Sequence, residues 1–144
     1  MEKLLISACL LGNKCRYDGK DNALDILDEL KEKYELIPVC PEVDGGLPTP
    51  RFPSEIRGDK VMNSQNEDNT AYFLKGAEKA IALVKKYHIR YALLKAKSPS
   101  CGKDYIYDGS FNHVLIPGNG ILVRELLKLG VTIYNEQDVR RLLS

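Results

Sequence analysis

The sequence has almost no net charge. Its 21 Lys and Arg offset 20 Asp and Glu, which leaves +1 at pH 7. That balance argues against partners held by charge alone, such as bulk nucleic acid or an anionic membrane, but not against a local basic patch. Nor does any apolar run approach the ~20 residues of a membrane span. The first twelve residues hold one basic side chain, Lys3, and their apolar run reads as a strand. No secretory leader is therefore expected, and the expected compartment is the cytoplasm. Structural disulfides are disfavoured there, so the four cysteines need another explanation. There is no C-x-x-C pair and there are only two histidines, His88 at a helix end and His113 in an irregular segment. Both read as surface residues that complete no metal set, and the paired-knuckle pattern of structural zinc is absent. The sequence shows no repeat and no low-complexity tract.

What is present is an ordinary globular composition, 44% hydrophobic and 28% charged. The 144 residues suit one domain, 1–144, that buries roughly two-thirds of its unfolded surface. Strand and helix patterns alternate. Strands are expected at 3–8, 35–39, 91–96 and 131–134. Helices are expected at 22–33, 68–87, 121–129 and 136–143, the third ended by Gly130. Residues 59–64 read as a short strand or a hairpin arm and 104–116 as an irregular or hairpin segment. A Pro/Gly-rich loop fills 40–53. This alternation implies an α/β, three-layer Rossmann-like fold, with a mainly parallel sheet and helices on both faces. Ligands in such folds bind beyond the carboxyl ends of the strands.

Three cysteines fall at that edge: Cys9 after the first strand, Cys40 after the second, Cys101 shortly after the third. Cys15 lies in a loop of the same edge. One cysteine alone reads as a small buried filler. Three in equivalent positions read as convergent chemistry. Dispersed thiolates suit an iron–sulfur cluster, and three of them would leave one iron open. Spacing does not separate this from a nucleophilic cysteine, Cys101 or Cys40, beside an acid. A non-catalytic sensor that binds a cluster or metal is a third reading. Glu42, between Pro41 and a glycine pair, is a candidate acid or base, against the plainer reading of a solvated loop acid. Ser98, before Pro99, either serves a substrate or caps a turn. Arg16 and Arg51 could grip a carboxylate, a base edge or a phosphate, or equally be surface arginines. Gly118-Asn-Gly120 could offer amides to an anion, or be a turn capped by Asn119.

Several motifs occur together and in order: Ser7-Ala-Cys-Leu-Leu-Gly12, Cys15-Arg-Tyr-Asp-Gly19, Val39-Cys-Pro-Glu42, Gly45-Gly-Leu-Pro-Thr-Pro-Arg51, Lys97-Ser-Pro-Ser-Cys-Gly102, Tyr107-Asp-Gly-Ser-Phe111 and Gly118-Asn-Gly120. The set covers nearly the whole chain and resembles the thiouracil desulfurase family. That resemblance implies a [4Fe-4S] cluster held by three cysteines, carried onto Cys9, Cys40 and Cys101, with Cys15 as an alternative ligand. It implies acid–base roles for Glu42 and Ser98. Substrate binding is assigned to Arg16, Arg51, Ser100, Gly118 and Gly120. The expected reaction is non-redox desulfuration of a thiolated pyrimidine to the oxo form, with release of sulfide. Family members with an extra C-terminal domain are linked to thiolated tRNA. This chain ends without one, which points to a free base or nucleotide and to no stable nucleic-acid partner. The sequence sets no oligomeric state. One departure stands out: the family's Asp-Val-Thr before the long helix is Asp68-Asn69-Thr70 here.

Overall fold

The computed structural model describes residues 1–20 and 22–143. Four parallel strands form the central sheet: β1 (Glu2–Ser7), β2 (Tyr34–Val39), β5 (Tyr91–Leu93) and β8 (Thr132–Tyr134). Their order is β2-β1-β5-β8. The register pairs Ser7 with Val39 and Ile6 with Leu93, so the strands end together at one edge. Among the described residues four α-helices accompany them: α1 (Leu27–Lys33), α2 (Pro41–Asp44), α3 (Thr70–Tyr87) and α4 (Ile121–Lys128). Two hairpins are added, β3 (Ser54–Arg57) with β4 (Lys60–Asn63), and β6 (Tyr105–Tyr107) with β7 (Leu115–Pro117).

Side-chain alternation on β1 divides the core into two layers. Leu4 and Ile6 pack with Leu30, Tyr34, Leu93, Val139 and Leu142 on the α1 side. Leu5 packs with Phe73, Ala77, Ala92, Leu122 and Leu126 on the side of α3 and α4. These layers on either side of one sheet are the expected three-layer arrangement.

Several expected elements change length. The helix expected over 22–33 begins only at Leu27. Residues 22–24 run without helix instead, tied by Asn22 N donating to Cys9 O and Leu24 N to Leu10 O. The strand expected over 91–96 stops at Leu93, because the chain then turns to present residues 95–101 to the sheet edge. The last helix is a short 3-10 segment, Val139–Leu143.

A close contact between α2 and α3 fixes the Cys40–Glu42 segment. A Cβ at Gly76 would overlap the Pro41 backbone, so only glycine lets α3 lie directly on α2. Asn69, the departure from the family pattern, is buried at the start of α3 and donates through Nδ2 to Ser54 Oγ, 3.3 Å away. Ser54 lines the cavity described below, so the substitution reaches the cavity wall at second hand.

Candidate active site

A cavity of about 620 Å³ opens at the carboxyl edge of the sheet. Cys9, Cys15, Cys40 and Cys101 all line it, and all four are free thiols. Each arrives by a different route. Cys9 lies in the 3-10 turn directly after β1, and Cys40 is the residue between β2 and α2. Cys101 lies in the turn that follows β5, and its amide donates to Ser98 Oγ at 2.8 Å. Cys15 comes from the loop after the 3-10 turn, and its carbonyl accepts from Cys40 Sγ at 3.9 Å.

The thiols differ in proton affinity. Cys15 bonds to both Cys40 and Cys9, and those contacts push its pKa far up. Its donation pulls Cys9 down to about 7, helped by Asn22 and the Lys95 ammonium and opposed by burial. Cys40 is lowered too, first by its own contact with Cys15 and against burial. Cys101 is the most enclosed, and burial pushes it up to about 12 despite hydrogen bonds from Ser7 and Ser100. It lies within electrostatic reach of Cys9 and Cys40. Among the described residues no three His, Cys, Asp or Glu side chains close on a single ion. The thiols ring a space instead, and such a set of soft sulfur donors fits an iron–sulfur cluster.

Glu42 sits in the first turn of α2 and is no solvated loop acid: its side chain is 16% exposed. Burial raises its pKa, and the Arg51 guanidinium opposes the rise. Arg51, 6% exposed, sends both Nε and Nη2 to the same oxygen, Glu42 Oε1, at 3.2 Å. Its remaining contacts are Cys15 O, Pro48 O and Thr49 Oγ1. The second oxygen, Oε2, is left for Ser100, whose hydroxyl donates to it at 3.4 Å. Ser98 stands one step behind, 3.4 Å from Ser100 Oγ.

Arg16, Arg51, Glu42, Ser98 and Ser100 therefore reach the cavity along with the cysteines. Arg16 bonds Asn22 and Asp18 on its rim. Gly118 and Gly120 do not line the cavity. Their amides are taken by Asp104 O at 2.9 Å and Gly102 O at 2.7 Å, so neither is offered to an anion. Gly120 packs against the Ser100 backbone, where a Cβ would come within 2.5 Å. Asn119 does make a turn bond, accepting from Asp104 N at 2.8 Å.

Sequence reasoning missed Lys95 and Glu136. Lys95 lines the cavity and pairs with Glu136 at 2.6 Å, and Glu136 also accepts from Ala96 N. The partners are far apart in sequence, and no local pattern joins them. His113, read as a surface residue, is exposed but stands at the cavity with Tyr107 and Phe111.

Residues 4–138 match the 2-thiouracil desulfurase family. The uncharacterized protein YbbK of Bacillus subtilis (strain 168) is 33% identical, over 97% of this chain and 99% of its own length. A solved structure of a [4Fe-4S]-dependent thiouracil desulfidase superposes with a TM-score of 0.93 at 42% identity, covering 99% of this chain and 95% of that one. Similarity that runs through both core layers and every cavity-lining segment is more than a shared fold: this chain belongs to the 2-thiouracil desulfurase family.

Proposed function

We propose that this protein is an iron–sulfur-dependent enzyme that converts a thiolated pyrimidine to its oxo form and releases sulfide. The observation that carries the reading is the cavity itself, with four free thiols, a buried glutamate and a serine pair facing one space. Family membership and the likeness to a [4Fe-4S]-dependent thiouracil desulfidase support it. Cys9, Cys40 and Cys101 would hold the [4Fe-4S] cluster, since each follows one of three adjacent strands, β1, β2 and β5. When bound, the cluster supplies a Lewis-acidic iron with affinity for the soft thiocarbonyl sulfur.

The protein's own groups handle the water and the protons. Arg51 holds Glu42 through one oxygen and leaves Oε2 facing Ser100 and the cavity. Burial keeps this carboxyl ready to hold a proton, so it can take one from the attacking water and return it to the departing sulfur. Ser100 touches Glu42 directly and orients water or substrate there. Ser98 accepts the Cys101 amide, which fixes the turn carrying that cysteine, and its hydroxyl meets Ser100. Lys95 adds positive charge beside Cys9. Water supplies the oxygen, the C=S bond becomes C=O, and sulfur leaves as hydrosulfide with one proton released, with no net electron transfer.

A cysteine-nucleophile reading centred on Cys101 conflicts with its burial, because its sulfur is the most enclosed of the four and the least open to a substrate. We assign the work to one domain and a small-molecule substrate, a free base or nucleotide, without stable nucleic-acid binding. A cytoplasmic setting would keep the four thiols free. Among the described residues no helix is long and apolar enough to cross a membrane. The test is anaerobic turnover of 2-thiouracil by cluster-loaded protein. Equimolar uracil and sulfide without added reductant are expected, whereas no sulfide, or an obligate reductant, refutes the mechanism.

A further inference from the structure

The Tyr107–Phe111 motif has no part in the chemistry above, yet the fold goes to some length to hold it. Four rings line the cavity, Tyr17, Tyr107, Phe111 and His113, and three of the four come from residues 107–113. Phe111 belongs to neither core layer and stays only partly buried. Its backbone is left-handed, with φ 59°. That conformation is costly for a non-glycine residue and persists where its surroundings enforce it.

The enforcement comes from β3. Glu55, 8% exposed, places one oxygen between two amides of the loop, Gly109 N at 3.0 Å and Phe111 N at 3.1 Å. Two residues on, Arg57 Nε donates to Gly109 O at 2.7 Å, and its guanidinium lies 5.7 Å from the centre of the Phe111 ring. Gly109 itself has φ 93°, and a Cβ there would meet Arg57 and Ile56 O, so the loop lies directly on the hairpin. Asp108 closes the turn by accepting from Ser110 N and Oγ. Tyr107 meets His113 edge-on at 6.0 Å. A buried carboxylate spent on two loop amides, a left-handed phenylalanine and a ring left partly open at a cavity are together more than loop packing requires.

We propose that Tyr107 and Phe111 form the face on which the planar ring of the substrate stacks, and that Glu55 and Arg57 are positioning residues that hold this face. The inference rests on the desulfurase reading and deepens it, because it places selection for a flat heteroaromatic ring in this loop. Ring-on-ring stacking tolerates varied substituents and needs no charge.

The test separates binding from chemistry. With cluster-loaded protein and 2-thiouracil, Phe111→Leu should raise KM roughly tenfold, within the range that loss of one stacked base spans, and leave kcat within about twofold. Uracil, the oxo product, should lose affinity for Phe111→Leu by a similar factor in equilibrium dialysis. Glu55→Ala should raise KM in the same way. Glu55→Gln keeps an oxygen acceptor for both amides and should restore it. Unchanged KM and uracil affinity in Phe111→Leu would overturn the proposal. So would a Glu55→Gln variant as impaired as Glu55→Ala, or a fall in kcat with KM unmoved. If the wild type releases no sulfide from 2-thiouracil, the desulfurase reading fails, and the stacking face then stands or falls on the uracil affinities alone.

Discussion

Arg51→Met isolates the electrostatics of the site. Arg51 is the only partner of Glu42 Oε1 among the hydrogen bonds described, and both side chains are largely buried, at 6% and 16% exposure. Truncating one member of such a pair leaves the other desolvated and unpaired, which costs about 3–5 kcal/mol. Glu42 has an escape, since it can take up a proton. Holding a carboxyl of ordinary value 4.5 protonated at pH 7 costs about 3.4 kcal/mol at ~1.36 per unit, which caps the electrostatic part. The lost bonds to Cys15 O, Pro48 O and Thr49 Oγ1 add less, because two of the three lie on the exposed side. A total of about 3–4 kcal/mol, with a urea m-value of ~2 kcal/mol per molar, moves the unfolding midpoint down by about 1.5–2 M. The double variant Glu42→Leu/Arg51→Met removes both charges and should recover most of that loss. A shift below ~0.3 M in Arg51→Met, or a double variant as unstable as the single one, would refute the pairing argument.

Four further outcomes follow from the same geometry. Glu42→Gln retains the Arg51 contact, so it should keep its iron and lose roughly 10²- to 10⁴-fold in kcat for 2-thiouracil; wild-type turnover would remove the acid–base role. Cys101→Ser should fail to hold iron after anaerobic reconstitution while Cys15→Ser holds it, and the reverse result would exchange their roles. Gly76→Ala forces α3 away from Pro41, so it should cost about 1–3 kcal/mol in urea unfolding and lower iron occupancy; a wild-type midpoint would contradict the close approach. Tyr34, buried with its hydroxyl donating to Leu142 O at 2.8 Å, has its pKa raised, first by burial. The folded state thus holds this proton more tightly than the unfolded one, and the resulting stability, complete below pH 10, is lost as pH rises through the folded value. Tyr34→Phe should flatten that alkaline fall in the urea midpoint, and an unchanged slope would rule out Tyr34 as its source.

The sheet is legible in the sequence because its strands are short apolar runs, and the cysteines at their ends mark the edge. Cys9, Cys40, Cys101 and Glu42 meet there because parallel strands share one direction. What escaped the sequence were contacts between distant residues. The forked Arg51–Glu42 pair spans a loop whose course the sequence does not give. Ser100 and not Ser98 touches Glu42; Ser98 accepts the Cys101 amide and meets Ser100. Gly118 and Gly120 look like an anion cradle only until their amides find Asp104 and Gly102. The apolar spacing of Leu24 and Leu27 reads as helical, but α1 starts later because Asn22 and Leu24 use their amides to bind the 3-10 turn.

The most direct test of the account is the iron and acid-labile sulfide bound per chain after anaerobic reconstitution of the wild-type protein. About four of each are predicted, with the broad visible absorption of thiolate-bound iron. Protein that folds with four titratable thiols yet takes up no iron would contradict the cluster, and with it the desulfuration mechanism built around Glu42 and Ser100.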